Sequence, residues 1–400
     1  MRKSNRRFTC IEGFSGPGGL GLGLHRTGFE ILAAFDADEA AVRTYWRNVS
    51  DRAFVADARG LTGEALLKLA GPRSDRLDLF AGGPPCQGFS KQKRGAHLGD
   101  ERNALVLEFA RLVEEIAPKF FLLENVEMLG GKRGLKFLEH LIALLKDYHP
   151  YPHYYNSADY GLAQTRRRFV LVGRHESVRA PFRVPKPTAS RWPTVREVIG
   201  DLPEPPEDYT DHPAYPNHQR ARVTKANIER FSHVPQGGGW QDIPMKLRLP
   251  CHQTVEVKSG GWPDVYGRLE WDGQCPTITG GFDSFTRGRY GHPKHDRPLT
   301  PREAARLQGF PDSFVFEGNR AEVRSQIGNA VPPPLAEAIG REILRPLRIE
   351  AGLEKWDGSM REDASPGVQL AFAGVDGTAV SASRSAAEGH RQGGRPLSAR

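Results

Sequence analysis

The sequence predicts an α/β protein: a doubly wound, mostly parallel sheet carrying a second, smaller and irregular domain. Three observations lead there. Short apolar runs alternate with amphipathic stretches from residue 8 to residue 174, the pattern of a sheet covered by helices on both faces. From about residue 182 proline and glycine become dense and long helical periodicity stops. At Thr300 helical signals return.

Phe8 to Phe14 reads as a strand, and a glycine-rich turn leads into a helix near Gly18 to Arg26. Strand Glu30 to Phe35, helix Glu39 to Asn48, strand Ala53 to Ala56, helix Gly63 to Ala70 and strand Leu77 to Phe80 follow. After Asn103 the apolar residues Leu105, Phe109, Leu112, Val113 and Ile116 share one helical face, and Pro118 stops the helix. Strand Phe120 to Leu123 precedes a helix with Leu135, Leu138, Leu141, Ile142 and Leu145 on one side; Phe169 to Gly173 is a further strand.

Residues 1–181 therefore form the expected catalytic and cofactor-binding domain. Residues 182–298 read as an irregular strand-and-loop domain with Arg220, Arg222, Lys225, Arg287, Arg289, Lys294 and Arg297 among aromatics, most of them suited to a core. Residues 299–352 return to the first domain. Thr300-Pro301-Arg302-Glu303 supplies an N-cap, a proline at the first helical position and a glutamate three residues after the cap. Leu335, Ile339 and Ile343 mark a last helix. Residues 353–400 are rich in Ser, Gly, Ala and Arg, read as a disordered tail. Truncation after Leu347 is expected to be tolerated.

Composition narrows the function. At 400 residues there is room for about two structural units. No apolar stretch approaches the ~18 residues of a membrane span, and the basic N-terminus lacks the apolar segment of a signal peptide. A cytoplasmic protein is expected. The 4 cysteines show no Cys-x-x-Cys spacing, so neither a metal site nor a redox dithiol is indicated. Net charge +8 suits a polyanionic partner, because phosphate contacts dominate non-specific nucleic-acid affinity.

Five motifs carry chemistry. Phe14-Ser15-Gly16-Pro17-Gly18-Gly19 lies between a strand and a helix, where glycines allow a tight turn and close ligand approach. Asp36 ends the second strand and suits two ribose hydroxyls; Asp57 ends the third and suits an adenine amino group. Gly83-Pro84-Pro85-Cys86-Gln87-Gly88-Phe89-Ser90 follows a strand, so its thiol borders the crevice where open α/β sheets bind ligands. Leu123-Glu124-Asn125-Val126 ends a strand on the same sheet edge, and Gln164-Thr165-Arg166-Arg167-Arg168 precedes another. Gln326-Ile327-Gly328-Asn329-Ala330-Val331-Pro332 has no strong chemistry of its own.

In order and spacing these segments resemble the DNA cytosine-5 methyltransferase family, across roughly residues 8 to 174 and 298 to 346. The resemblance implies a Rossmann-like, S-adenosylmethionine-dependent fold, with 182–298 as target-recognition domain for double-stranded DNA. It implies Cys86 as nucleophile on cytosine C6, Glu124 on N3 and the 4-amino group, and Arg166 and Arg168 on the nucleotide and catalytic loop. Phe14, Gly16, Gly18, Gly19, Asp36, Asp57, Leu105 and Asn329 would line the S-adenosylmethionine site. The chain departs from the family at Glu12-Gly13-Phe14-Ser15-Gly16, where Asp-Leu-Phe-Ala-Gly is commoner, and at Asn103, where glycine is often seen. A restriction endonuclease of the same site is a possible partner, and a monomer is expected. Two other readings are an RNA cytosine-5 methyltransferase and a catalytically silent DNA-binding homologue.

Overall fold

The computed structural model describes residues 6–71, 76–85, 104–132, 134–253 and 264–356. Strand β1 (Phe8–Gly13) is followed by helix α1 (Gly19–Thr27), β2 (Phe29–Asp36), α2 (Glu39–Asn48), β3 (Ala53–Val55) and α3 (Gly63–Ala70). Next come β4 (Leu79–Gly82), α4 (Ala104–Ile116), β5 (Phe120–Val126), α5 (Leu135–Leu144) and β6 (Tyr148–Asn156). β7 (Gln164–Thr165) and β8 (Arg167–His175) complete the strands of the first domain.

Among the described residues, seven strands form one sheet in the order β3-β2-β1-β4-β5-β8-β6. β3 through β5 pair in parallel, whereas β8 runs antiparallel to both β5 and β6. The chain leaves β1 toward β2 on one side and returns to β4 on the other. A crevice therefore opens beyond the carboxyl ends of β1 and β4, where the winding reverses.

Both sheet faces are covered, so side chains alternate between two apolar layers. In β5, Phe120 and Leu122 join Leu20, Leu24, Leu335 and Ile339 on one face. Phe121 and Leu123 join Leu66, Phe109, Val113 and Leu138 on the other.

The expected elements are present, with shifts that matter locally. β4 begins two residues later than predicted, because the Asp78 carboxylate accepts from the Thr9 backbone N–H and from Lys119 instead of continuing an apolar strand. β5 runs through Glu124 and Asn125 rather than stopping at Leu123. β6, which contains Pro150 and Pro152, is not among the expected strands. It is an edge strand bonded only to β8, where proline is tolerated because one side of the backbone needs no donor. In α4 the buried stripe includes Val106 in place of Leu105.

Residues 182–298 contain far less strand than expected. Helices α6 (Val195–Ile199), α7 (Lys225–Ser232) and α8 (Pro250–Gln253) are short, and β9 (Cys275–Pro276) pairs in parallel with β7. Phe231, Trp240, Tyr266 and Phe285 form a small core, with Phe231 and Phe285 stacked at 4.2 Å.

Helix α9 (Pro301–Leu307) begins with the predicted cap: Thr300 and Glu303 form both halves of a capping box. Helix α10 (Arg320–Asn329) and helix α11 (Pro333–Glu350) follow. Leu335, Ile339 and Ile343 of α11 are buried against α1 and the sheet, which ties the end of the chain to its beginning.

A cut after Leu347 would remove Glu350, whose carboxylate accepts from the backbone N–H groups of Arg179 at 2.9 Å and Ala180 at 3.1 Å. Of the expected tail, 353–400, all but residues 353–356 lies outside the described residues. Truncation after Trp356 is expected to leave the unfolding midpoint within about 2 °C of the full chain, whereas truncation after Leu347 should lower it by about 4 °C or more. Differential scanning calorimetry of both proteins checks this, and equal midpoints would remove the role given to Glu350.

Candidate active site

β1 ends in a sharp bend. Phe14 and Gly16 both take left-handed backbone angles, φ 53 and φ 52. A side chain on Gly16 would meet nothing within 4 Å, so the backbone there faces open space. The bend is fastened to β2: the Ser15 N–H donates to the Phe35 carbonyl at 3.1 Å, and the Gly16 N–H donates to Asp36 Oδ2 at 2.8 Å. The Asp38 N–H occupies Asp36 Oδ1 at 2.9 Å. Each carboxylate oxygen keeps capacity for a further donor. Burial pushes the Asp36 carboxyl above its ordinary range, against these backbone donors.

A cleft of about 740 Å³ lies beside this bend. Phe14, Gly16, Asp36, Asp57, Leu105 and Asn329 all line it, although they come from five separate stretches of chain. Asp57 sits just beyond β3, half-exposed, with one oxygen accepting from the Arg59 N–H at 3.0 Å. Leu105 is in the first turn of α4. Asn329 ends α10, where its amide donates to Ser325 at 3.2 Å.

Two predicted cofactor residues have a different place. Gly18 and Gly19 do not line the cleft. Gly18 caps α1, and a side chain there would strike Val49 and Tyr45. A Cβ on Gly19 would stand 2.2 Å from the Val331 carbonyl. These glycines let α1 pack closely against α2 and the Ala330–Val331 turn, which spacing alone does not distinguish from ligand approach.

The opposite wall holds the catalytic candidates. Glu124 is 7% exposed and lies inside β5. Arg168, paired across the strands near it, brings Nε to 3.1 Å from Glu124 Oε1. This is an ion pair at an angle too poor for a hydrogen bond, so Oε1 is buried without a hydrogen-bond partner. Burial raises the Glu124 pKa, while Arg168 and then Arg166 pull it down. A carboxyl balanced between these influences can hold or release a proton at modest cost.

Arg166 does something other than predicted. It is 1% exposed and donates to three backbone carbonyls: Ile278 at 2.8 Å, Gly328 at 3.0 Å and Ala330 at 3.0 Å. Gln164 reinforces this splice by donating to the Leu307 carbonyl and Gln308 while accepting from the Ile278 N–H. Arg166 thus fixes the walls of the cleft to one another.

Cys86 lies outside the described residues. Its neighbours Pro84 and Pro85 line the cleft, and the Asn125 amide donates to the Pro84 carbonyl at 3.0 Å. Asn125 was quoted only as part of a motif; its bond links the proline loop to the strand that carries Glu124. Glu12 and Ser15 are further lining residues that sequence reasoning passed over, and Glu12 Oε1 and Ser15 Oγ are both buried without hydrogen-bond partners. Their signal was a polar residue on a strand end that is otherwise apolar.

The basic residues of the second region divide. Arg297 is buried between Glu303 and Glu204, Arg220 pairs with Glu204, and Arg289 pairs with Asp264. Arg222 stacks on Tyr209, 4.7 Å from the ring centre. Arg222, Lys225, Arg287 and Lys294 are exposed and make no ion pair among the described residues. Like Lys186 and Lys246, they are free to meet phosphate.

Known proteins share this arrangement. A family model described as C-5 cytosine-specific DNA methylase matches residues 8–345. The Type II methylase M.HgiDII of Herpetosiphon aurantiacus is 35% identical over 343 residues, which is 84% of this chain and 94% of that protein. The Type II methyltransferase M.BbvI of Brevibacillus brevis is 35% identical over 379 residues, 88% and 95% of the two chains. Among solved structures, a DNA modification methyltransferase encoded within an E. coli prophage superposes with a TM-score of 0.64 at 28% identity, covering 85% of this chain and 99% of that one.

Proposed function

The chain belongs to the C-5 cytosine-specific DNA methylase family, and from that premise we propose that it methylates C5 of a flipped-out cytosine in a specific duplex sequence through a covalent bond from Cys86 to C6. The observation that supports this most is the shared cleft. One wall has an acidic and glycine-lined nucleoside seat, and the other has the buried Glu124 with Arg168 beside the proline loop that leads to Cys86.

The lining fits S-adenosylmethionine. Asp36 and Asp57 present acceptors at adjacent strand ends, Phe14 and Leu105 offer apolar surface, and the unpartnered Glu12 and Ser15 atoms offer polar contacts. When bound, the cofactor supplies an electrophilic methyl group on a sulfonium sulfur. The chain's own groups do the rest. The Cys86 thiolate adds to C6 and breaks the ring conjugation, which makes C5 nucleophilic. Glu124 holds a proton at cytosine N3 and so draws electrons from the ring, a role its raised pKa suits. Arg168 keeps Glu124 oriented. Elimination of Cys86 follows loss of the C5 proton. Extruding the base costs a few kcal/mol, and the second region, with exposed unpaired cations such as Arg222, Lys225, Arg287 and Lys294, grips the flanking duplex.

Methyl incorporation from labelled S-adenosylmethionine into duplex DNA and into tRNA tests this. Incorporation into DNA is expected; labelling of tRNA alone, or of neither, overturns it. Bisulfite sequencing of DNA from a methylation-free bacterial host would then give the site. The Type II names of its relatives support a restriction–modification role, with a cognate endonuclease as partner, in the cytoplasm and as a monomer. No described helix is long and apolar enough to cross a membrane. Glu124→Gln is expected to lower kcat by about 100-fold, the scale of a lost general acid, with S-adenosylhomocysteine affinity unchanged. Single-turnover kinetics measure this, and a kcat within threefold of wild type would remove Glu124 from the chemistry.

A further inference from the structure

Arginines near Arg287 in space or sequence are held by the protein's own acceptors. Arg268 donates to the carbonyls of Phe231, Val234 and His292, and Arg289 donates to those of Gly237 and Gly238. Arg287 differs. It is exposed, and among the described residues its guanidinium has no hydrogen bond, ion pair or ring contact. The fold therefore gains nothing from that cation.

Its place is nevertheless fixed. The segment 279–287 starts in the cleft wall, which Ile278, Thr279 and Gly280 help to line. A Cβ on Gly328 of α10 would stand 2.3 Å from the Gly280 nitrogen, so the segment is seated directly on α10. The Asp283 carboxylate, 7% exposed, is clasped between Arg320 Nε at 2.9 Å and Arg324 Nη1 at 3.1 Å, both from α10. Phe285 is buried and stacked on Phe231, and its carbonyl accepts from the Tyr266 N–H at 2.6 Å. Arg287 follows two residues later. A Cβ on Gly281 would stand 2.8 Å from Arg287 Cβ and 3.0 Å from its Cγ. The arginine stem thus lies against the bare Cα of the residue that follows the cleft lining.

We propose that Arg287 reads a guanine flanking the extruded cytosine, its guanidinium donating to O6 and N7 in the major groove. This rests on the methyltransferase reading and deepens it by naming a specificity residue. Position supports it: a base-pair step is about 3.4 Å, so a side chain rooted one residue from the cleft lining meets the pairs beside the extruded base. Order supports it as well. Gripping phosphate needs only charge, which a mobile lysine supplies. Bidentate reading of guanine needs a planar fork held in one direction, and a stem packed on a rigid turn loses little entropy on binding.

Bisulfite sequencing of DNA from a methylation-free bacterial host expressing the wild-type chain gives the methylated word. That word should hold a guanine directly beside the cytosine or one position further. Transfer is then compared on duplexes that carry guanine or another base there. Arg287→Ala and Arg287→Lys should each lower the kcat/KM preference for guanine by about tenfold, the size of one lost bidentate contact, and leave the rest of the word unchanged. Lysine keeps the charge without the fork, so it should not restore the preference. Gly281→Ala crowds the stem and keeps the cation, and it should relax the same position; this gives a second reading should an Arg287 variant fold poorly.

A word without that guanine overturns the assignment, as does unchanged discrimination in the variants. So does a loss that is uniform across sequences, lowers the salt slope of duplex binding by about one and is repaired by Arg287→Lys, because that pattern marks a phosphate contact. A wild-type chain that methylates no cytosine in DNA removes the methyltransferase reading itself, and this inference with it.

Discussion

Cys86→Ala is expected to abolish methyl transfer, to below about one part in 10⁴ of wild type, while S-adenosylhomocysteine binding stays within about twofold. The size follows from the proposed chemistry. C5 of cytosine is a poor nucleophile until a thiolate adds at C6, and among the described residues no other thiol lines the cleft. Of the remaining cysteines, Cys10 and Cys275 are fully buried, with burial pushing both thiols far up, and Cys251 belongs to α8 of the second region and does not line the cleft. Single-turnover transfer to a methylation substrate found by bisulfite sequencing gives the rate. Activity within tenfold of wild type would refute covalent catalysis by Cys86. A Cys86→Ala protein that had also lost cofactor binding would place the thiol in the cofactor seat instead.

Arg166→Met is expected to cost about 3–5 kcal/mol of folding stability, because three carbonyls from two other parts of the chain lose a charged donor worth about 1.5–3 kcal/mol each, less what relaxation recovers. Burial lowers the Arg166 pKa well below its ordinary value, and the neighbouring Arg168 lowers it further. The fold therefore holds this cation at a cost, and the cation is retained for what it joins: the loop at Ile278, and the Gly328 and Ala330 carbonyls on either side of Asn329. Arg168→Met is the contrast. That side chain makes one ion pair with Glu124 and one bond to the Arg167 carbonyl, and Glu124 can take up a proton when its cation is gone, so stability should fall less than in Arg166→Met while activity falls. Urea unfolding of the two variants reads the difference. An Arg166→Met midpoint equal to wild type would remove the clamp.

These two arginines show how far sequence reasoning reaches. Both stand in one motif two residues apart, and both were assigned to the nucleotide and the catalytic loop. Both line the cleft, but of the two Arg168 alone is ion-paired with Glu124. Arg168 lies within β8 and pairs with Val126 of β5, whereas Arg166 falls between β7 and β8, outside either strand, and reaches the Ile278, Gly328 and Ala330 carbonyls. The glycines divide in the same way. Gly16 faces the cleft, whereas Gly18 and Gly19 are spent on helix packing, and a glycine carries no side chain from which to tell the two apart. β6 carries Pro150 and Pro152: proline is excluded from a central strand but tolerated at an edge, and edge position is a property of the finished sheet.

Apolar periodicity, cap residues and strand–helix alternation are local, and the sequence alone determined what depends on them: the α/β class, most of the helices, the Thr300 cap and the motifs that place this chain in its family. The cleft depends on distant segments meeting. Glu12 and Ser15 became candidates only when burial left their oxygens without partners, and Arg166 became a clamp only when Ile278, Gly328 and Ala330 arrived around it. Whether a buried polar atom is satisfied is decided by tertiary packing, because its partner lies tens or hundreds of residues away.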